Sequence, residues 1–256
     1  MPSACSEDNA GELVSLADLA YPADMHRSAL VFDIETIGDV DTANRDAIAA
    51  LIRNEGATPE HYAALCPPLA RVACVAWYET ATTELTAIYD ASLGSTAETV
   101  SGHVEGSPCT LKAAGNEADL LRVFGAVLEA HAGRPNPLLV TFNGRGFDLP
   151  VLLHRGVKHG VSRGRSVLRA ALSDNRYTPA RHLDLLDALT FQGATRRYPL
   201  AAYVLGYGLP SPKENMAGAG VGAAVAAGRI KDVARYCAGD VVATLRVYRR
   251  WIGESP

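Results

Sequence analysis

The stretch Leu30-Val31-Phe32-Asp33-Ile34-Glu35-Thr36 sets two carboxylates two residues apart inside an apolar run. Read as a β-strand, it turns Asp33 and Glu35 to the same face, because side chains alternate across a strand with period two. Two neighbouring anions at the end of a core strand repel each other unless a positive charge lies between them. A divalent cation supplies that charge, and hard carboxylate oxygens favour magnesium or manganese. At ordinary Asp and Glu frequencies a chain of this length contains about one such D-x-E by chance. Its meaning therefore depends on carboxylates elsewhere in the chain.

Working outward, residues 28–36 read as the first strand. Arg45 to Asn54 carries a helical pattern. Residues 71–78 and 84–89 read as two strands of a hairpin across a short polar turn. Residues 91–115 are rich in Gly, Ser and Thr and read as an exposed excursion. Asn116 is placed to cap a helix to about His131, with Leu120, Leu121, Phe124, Val127 and Leu128 along one face. Leu138 to Phe142 reads as a short buried strand, followed by a glycine-containing loop and a helix from about Leu149 to His159. Pro150 suits that helix's first turn. Residues 160–180 read as a basic segment. His182 starts a short strand that runs into a helix, and Leu200–Leu209 is helical. Lys213–Gly222 is a glycine-rich loop, and a long helix runs from about Gly228 or Ile230 to Trp251. Residues 1–25 read as a lead-in with a short helix at Leu13–Leu19, and 26–256 as a single domain. This order of elements predicts an α/β fold, a mixed sheet flanked by helices.

Two further acidic positions stand out. Asp148 follows Asn143-Gly144-Arg145-Gly146-Phe147, close to a helix start, where a carboxylate can cap the helix or hold a ligand. In the last helix, Tyr236 and Asp240 are four residues apart and share a face. That face interrupts the apolar pattern of Val233, Cys237, Val241, Thr244 and Leu245. A carboxylate there wants a partner.

Asp33-Ile34-Glu35, Asn143-Gly144-Arg145-Gly146-Phe147-Asp148 and Tyr236-x-x-x-Asp240 resemble, in order and context, the motifs of the DEDD 3′–5′ exonucleases. The tyrosine four residues before the last Asp resembles the DEDDy branch. The chain is more similar still to stand-alone exonucleases related to the proofreading domain of family B DNA polymerases. His182-Leu183-Asp184-Leu185, Lys213, Met216, Gly218, Val221 and Gly228-Arg229-Ile230 also look like that group, and the resemblance runs from about 30 to 251. It implies a ribonuclease H-like fold with a central mixed five-stranded sheet. It also implies a two-metal mechanism using Mg2+ or Mn2+, in which two ions about 3.5–4 Å apart stabilise the attacking and leaving oxygens. Asp33 would bridge the ions, Glu35 and Asp240 would complete the nucleophile-side ion, and Asp148 would serve the second. Tyr236 would orient the attacking water. Thr36, Asn143 and Phe147 would contact the terminal nucleotide, with Phe147 or nearby apolar residues stacking on its base. The implied substrate is the 3′ end of a single-stranded nucleic acid, DNA ahead of RNA, cut to nucleoside monophosphates. Proofreading or repair would then need a polymerase or other partner. Residues 91–115 and 160–180 look like variable insertions.

Composition fits this reading without selecting it. Apolar residues make up 48% and charged residues 20%, and the net charge is −4. Between Arg145 and Arg197, however, ten basic residues face four acids. Such a stripe reads as a phosphate track or as a solvated surface. No apolar run is long enough for a membrane helix. The acidic N-terminus does not resemble a secretory signal. The five scattered cysteines fit reduced thiols in a cytoplasmic protein. Gly218-Ala219-Gly220-Val221-Gly222 follows no strand and lacks dinucleotide-loop spacing, so it is not read as a cofactor site. His154, His159 and His182 read as surface or supporting residues rather than ligands. Asp184 reads as a cap or core acceptor, Asp39 and Asp41 as solvated loop residues, and Trp77 and Trp251 as packing. The competing reading is a nucleic-acid binding module of the same fold with little catalysis.

Overall fold

The computed structural model describes residues 27–53, 56–96, 98–211 and 218–255. The expected lead-in helix at Leu13–Leu19, and Lys213 and Met216, lie outside these residues. Seven strands form one mixed sheet in the order β4-β5-β3-β2-β1-β6-β7. Its members are β1 (Ser28–Gly38), β2 (Ala70–Glu79), β3 (Glu84–Asp90), β4 (Val100–Val104), β5 (Ser107–Ala114), β6 (Pro137–Thr141) and β7 (His182–Asp184). The helices are α1 (Arg45–Ala49), α2 (Pro59–Leu65), α3 (Glu117–Ala132), α4 (Asp148–Lys158), α5 (Arg165–Leu172), α6 (Leu185–Leu189), α7 (Leu200–Gly206), α8 (Val221–Ala226) and α9 (Ile230–Trp251). The α/β class and the flanked mixed sheet are as expected. The count of five strands is corrected to seven.

Both extra strands come from the stretch read as an excursion. β4 and β5 pair antiparallel across Glu105-Gly106, with Val104 opposite Ser107. Both turn residues have positive φ, 50° and 83°, the backbone of a two-residue hairpin turn. β5 then pairs parallel to β3, burying Cys109, Leu111 and Ala114. Glycine and serine in β4 hid a strand whose second partner is tertiary. The basic segment after residue 160 likewise contains α5, which buries Leu168 and Ala171 against α3 and α4.

β1 is central, antiparallel to β2 and parallel to β6. Its alternation separates two cores. Ala29 and Val31 face a cluster that includes α9, while Leu30, Phe32 and Ile34 face one built from α3, α4 and α5. On the second face Phe124 meets Phe32 at 5.3 Å and Trp77 at 5.6 Å between ring centroids. Each such pair is worth about 0.5–1.5 kcal/mol beyond its buried area. α3 begins as expected, with Asn116 accepting from the Asp119 amide. The 22-residue α9 lies on β1, β2 and β3.

Pairing between β1 and β6 stops at Val31 and Val140, whereas β1 stays paired with β2 as far as Gly38. The carboxyl half of β1 therefore runs past the end of β6 and leaves a recess there. The register with β2 shifts between Glu35 and Thr36, giving a bulge opposite the acidic pair.

Candidate active site

Asp33 and Glu35 are the odd-numbered residues of β1 that follow Val31, so they point to the α9 side of the sheet. α9 answers them with Asp240. Carboxylate oxygens of Asp33, Glu35 and Asp240 all lie within 4.8 Å of one another, and all three residues are half-buried. Cys237, one α9 turn before Asp240, lies beneath. Its Sγ is 3.4 Å from the Asp33 carbonyl oxygen and 3.6 Å from Oδ2.

Asp148 comes from the other side of the recess as the first residue of α4. It stands one position inside the helix rather than at the N-cap, which is Phe147, and its carboxylate accepts from its own amide and from that of Ile34 on β1. Asp148 is 4% exposed, and its Oδ1 has no hydrogen-bond partner. An orphaned carboxylate oxygen beside a trio of carboxylates is a geometry that a cation would complete.

Electrostatics says the same. Burial, followed by repulsion from Asp148, Glu35 and Asp240, holds the Asp33 carboxyl well above the usual range. Burial, then Asp240 and Asp148, does so for Glu35. Burial pushes Asp148 up to about 7 even though its own amide favours the charged form. Four carboxylates gathered without a cation resist ionising together. Their oxygens are the hard donors that Mg2+ or Mn2+ takes. The residues present thus fit a divalent-metal site, with Asp33, Glu35 and Asp240 as one set and Asp148 beside it. Tyr236 hydrogen-bonds Asp240. Burial and the surrounding acids raise its phenol above the usual value, so it stays protonated.

The loop before Asp148 is held by Asp184, which the sequence marks as a cap or core acceptor and which the family resemblance sets near the site. Asp184 caps α6 through the amides of Leu186 and Asp187, and also accepts from the amides of Asn143 and Arg145, both at 2.9 Å. One carboxylate at the end of β7 thereby fixes the loop at the end of β6. Asn143 takes a left-handed conformation, φ 67°, which asparagine tolerates. A Cβ on Gly144 would lie 2.5 Å from the Thr141 Cβ, so glycine is required there.

The expected nucleotide-contact residues are placed unevenly. The Asn143 Oδ1 accepts from Arg197 at 3.1 Å. The Thr36 hydroxyl donates to the Ala64 carbonyl at 2.9 Å. Phe147 is half-buried against the α3–α4 core.

The basic stripe is not an open track. Six of its ten bases are engaged with acids: Arg145, Arg176 and Arg197 with Asp187, Arg155 and Lys158 with Asp39, and Arg163 with Glu129. Arg155 is 1% exposed and also grips both oxygens of Glu117, at 2.7 and 2.5 Å. Asp39 is therefore not merely solvated. Burial would raise its carboxyl, but Lys158 and Arg155 hold it below the ordinary value. His182 is buried, with its Nε2 2.9 Å from the Thr141 hydroxyl, and burial lowers its pKa to about 3. No signal along the chain distinguished these inward-facing charges from surface ones.

Residues 98–253 match the family described as "predicted 3′–5′ exonuclease related to the exonuclease domain of PolB". The match covers more than half of the chain. The chain belongs to this family. The matched region contains Asp148, Tyr236 and Asp240 and begins after Asp33 and Glu35. Among solved structures, the family B DNA polymerase from the hyperthermophilic archaeon Pyrobaculum calidifontis is similar over 88% of this chain, with a TM-score of 0.53 and 19% identity. That likeness shows the fold. The chain spans 24% of the polymerase's length. No relative among curated proteins matches this chain.

Proposed function

We propose that this protein hydrolyses phosphodiester bonds from the 3′ end of single-stranded nucleic acid, DNA in preference to RNA, in a reaction dependent on Mg2+ or Mn2+. The convergence of Asp33, Glu35 and Asp240 within 4.8 Å, beside the orphaned Oδ1 of Asp148, carries this reading. It rests also on family membership.

Asp33, Glu35 and Asp240 would hold one ion, and Asp148, with Asp33 shared, a second. Bound there, the ions would lower the pKa of a coordinated water and offset charge on the attacking and leaving oxygens. The protein's own groups do the rest. Asp240 accepts from the Tyr236 hydroxyl and fixes the ring. With its one proton given to Asp240, the phenol oxygen would accept a hydrogen bond from the attacking water and orient it, without abstracting its proton. Asp184 holds the Asn143–Arg145 backbone and with it the approach of Asp148. Cys237 and the β1 backbone close the floor, excluding water from below. The leaving 3′ oxygen stays with the shortened strand, and the phosphate leaves on a nucleoside monophosphate.

Digestion of a 5′-labelled single-stranded oligonucleotide with Mg2+ or Mn2+ tests the proposal. A ladder of shortened products and released monophosphates is expected, with the Asp33→Ala variant slower by roughly three orders of magnitude or more. Folded protein that binds the strand but leaves it intact, as the variant does, would instead support a binding module.

A further inference from the structure

A line of aromatic rings starts just past β6, on the sheet face that carries Asp33, and has no part in the chemistry described above. Phe142 is the residue after β6. It stands two positions beyond Val140, as Asp33 stands two beyond Val31, and Val31 and Val140 are paired and face α9. Phe142 packs against that same core cluster, which places it on the Asp33 face of the sheet. From Phe142 the rings continue: Tyr203 edge-on at 5.8 Å, then Tyr207 at 6.4 Å. Tyr203 and Tyr207 are four residues apart at the end of α7 and share its face. The Tyr198 backbone hydrogen-bonds the Tyr203 hydroxyl, and the Tyr198 ring is half exposed. Arg196 stands 5.9 Å from the centroid of that ring. Arg197, half exposed, ties the segment to the Asn143 side chain.

We propose that Phe142, Tyr203, Tyr207 and Tyr198 form a track on which the bases of a single strand stack as its 3′ end reaches the carboxylates, with Arg196 beside its phosphates. This rests on the function proposed above and specifies how its substrate is held. The physical need is plain. A site of four carboxylates repels phosphate, and most of the neighbouring basic side chains are already neutralised by acids. Affinity for a strand then has to come from surfaces other than an open cationic groove. Every base has a π-face, so aromatic stacking binds single strands without regard to sequence, and each base stacked contributes measurably. Arginines over or beside the rings add cation–π attraction and phosphate contacts. A paired duplex buries its base faces and cannot use such a track, so the geometry selects single strands. A core-packing role accounts for the inner edges of Phe142 and Tyr203. It does not account for a half-exposed Tyr198 carrying an arginine over its face.

The test is binding by the full chain in an Asp33→Ala background, which removes cleavage. Fluorescence anisotropy compares a labelled short oligothymidylate with an abasic strand of the same length. Tyr203→Leu and Tyr207→Leu should each weaken oligothymidylate binding about tenfold and leave the abasic strand unaffected. Tyr203→Phe should bind like the parent, and circular dichroism and melting of each variant should match it. Equal losses on both strands, or no loss in either leucine variant, would overturn the track and leave this aromatic face to a protein partner. A wild-type protein that shows the stacking signature yet cleaves nothing removes the exonuclease reading and leaves the track standing.

Discussion

Burial sets the ionisation of the site carboxylates, and with it the stability of the metal-free protein. Asp148 has an ordinary carboxyl in the unfolded chain and one pushed up to about 7 in the fold. A group whose folded pKa is raised contributes stability below its unfolded pKa. That stability is lost as pH rises through the folded value. Without metal, the fold should therefore weaken between about pH 4 and pH 7, by up to about 1.4 kcal/mol per pH unit from this residue. Asp148→Asn carries no such charge. In urea melts with chelator, it should be less pH-dependent than the wild type and more stable at pH 8, by about 1–3 kcal/mol. It should also be inactive. A wild-type pH slope retained in the variant would show that Asp148 ionises freely. Asp33, Glu35, Tyr236 and Asp240 stand out along the chain because each is a polar group in an apolar pattern, and Asp148 because it follows a glycine-containing loop at a helix start. Asp184 was not singled out as a loop organiser, because an aspartate at a helix start looks like a cap whether or not it also reaches a neighbouring strand.

Elements carry these residues with little freedom. β1 outruns β6, and beyond β6 the loop Phe142–Phe147 turns back into α4 through Gly144. The hydrogen bond from the Leu149 amide to the Gly144 carbonyl, 2.9 Å, fastens that turn. Gly144→Ala would drive a Cβ into the Thr141 side chain, and backbone must move because both residues are buried. Overpacking of this kind costs about 1–3 kcal/mol. The movement would also displace Asp148, the residue just before Leu149. Activity should fall at least tenfold at temperatures where the variant is still folded, as read by circular dichroism alongside the nuclease assay. Full activity with only a lowered melting point would detach the turn from the site. The β4–β5 hairpin illustrates an element that local pattern concealed. Its strands contain Gly102, Ser101 and Pro108, residues of low strand preference, and pairing with β3 holds it in place.

Across the whole molecule, helices cover both faces of one sheet, and charges buried between layers lock them together. Arg155 on α4 is the clearest case. It joins Glu117 at the start of α3 to Asp39 just past β1, while Glu117 also accepts from the Val72 amide of β2 at 2.8 Å and contacts His159. Removing one partner leaves the other charge buried and alone. Arg155→Met should destabilise by about 3–5 kcal/mol in chemical denaturation. Adding Glu117→Gln should recover part of that loss. Additive losses would show that the two side chains are not coupled. Nuclease activity per folded molecule should change little, since this network lies along α4 away from Asp148. Among the described residues no helix is long and apolar enough to cross a membrane.

The family was indicated by the resemblance of three ordered motifs, whereas local periodicity and residue chemistry were enough to predict the class of fold, the acidic strand and the tyrosine–aspartate helix face. Those features repeat every two or every 3.6 residues, or are marked by a charge where an apolar side chain is expected, and both signals lie along the chain. The seven-strand count, the sharing of Asp184 between two elements, the pairing of the basic stripe and the aromatic line from Phe142 to Tyr207 depend on residues far apart in sequence. Whether an arginine meets solvent, a phosphate or a buried glutamate is a matter of which layer lies across from it. That is set when the sheet closes its register and the helices dock, and no single segment contains it.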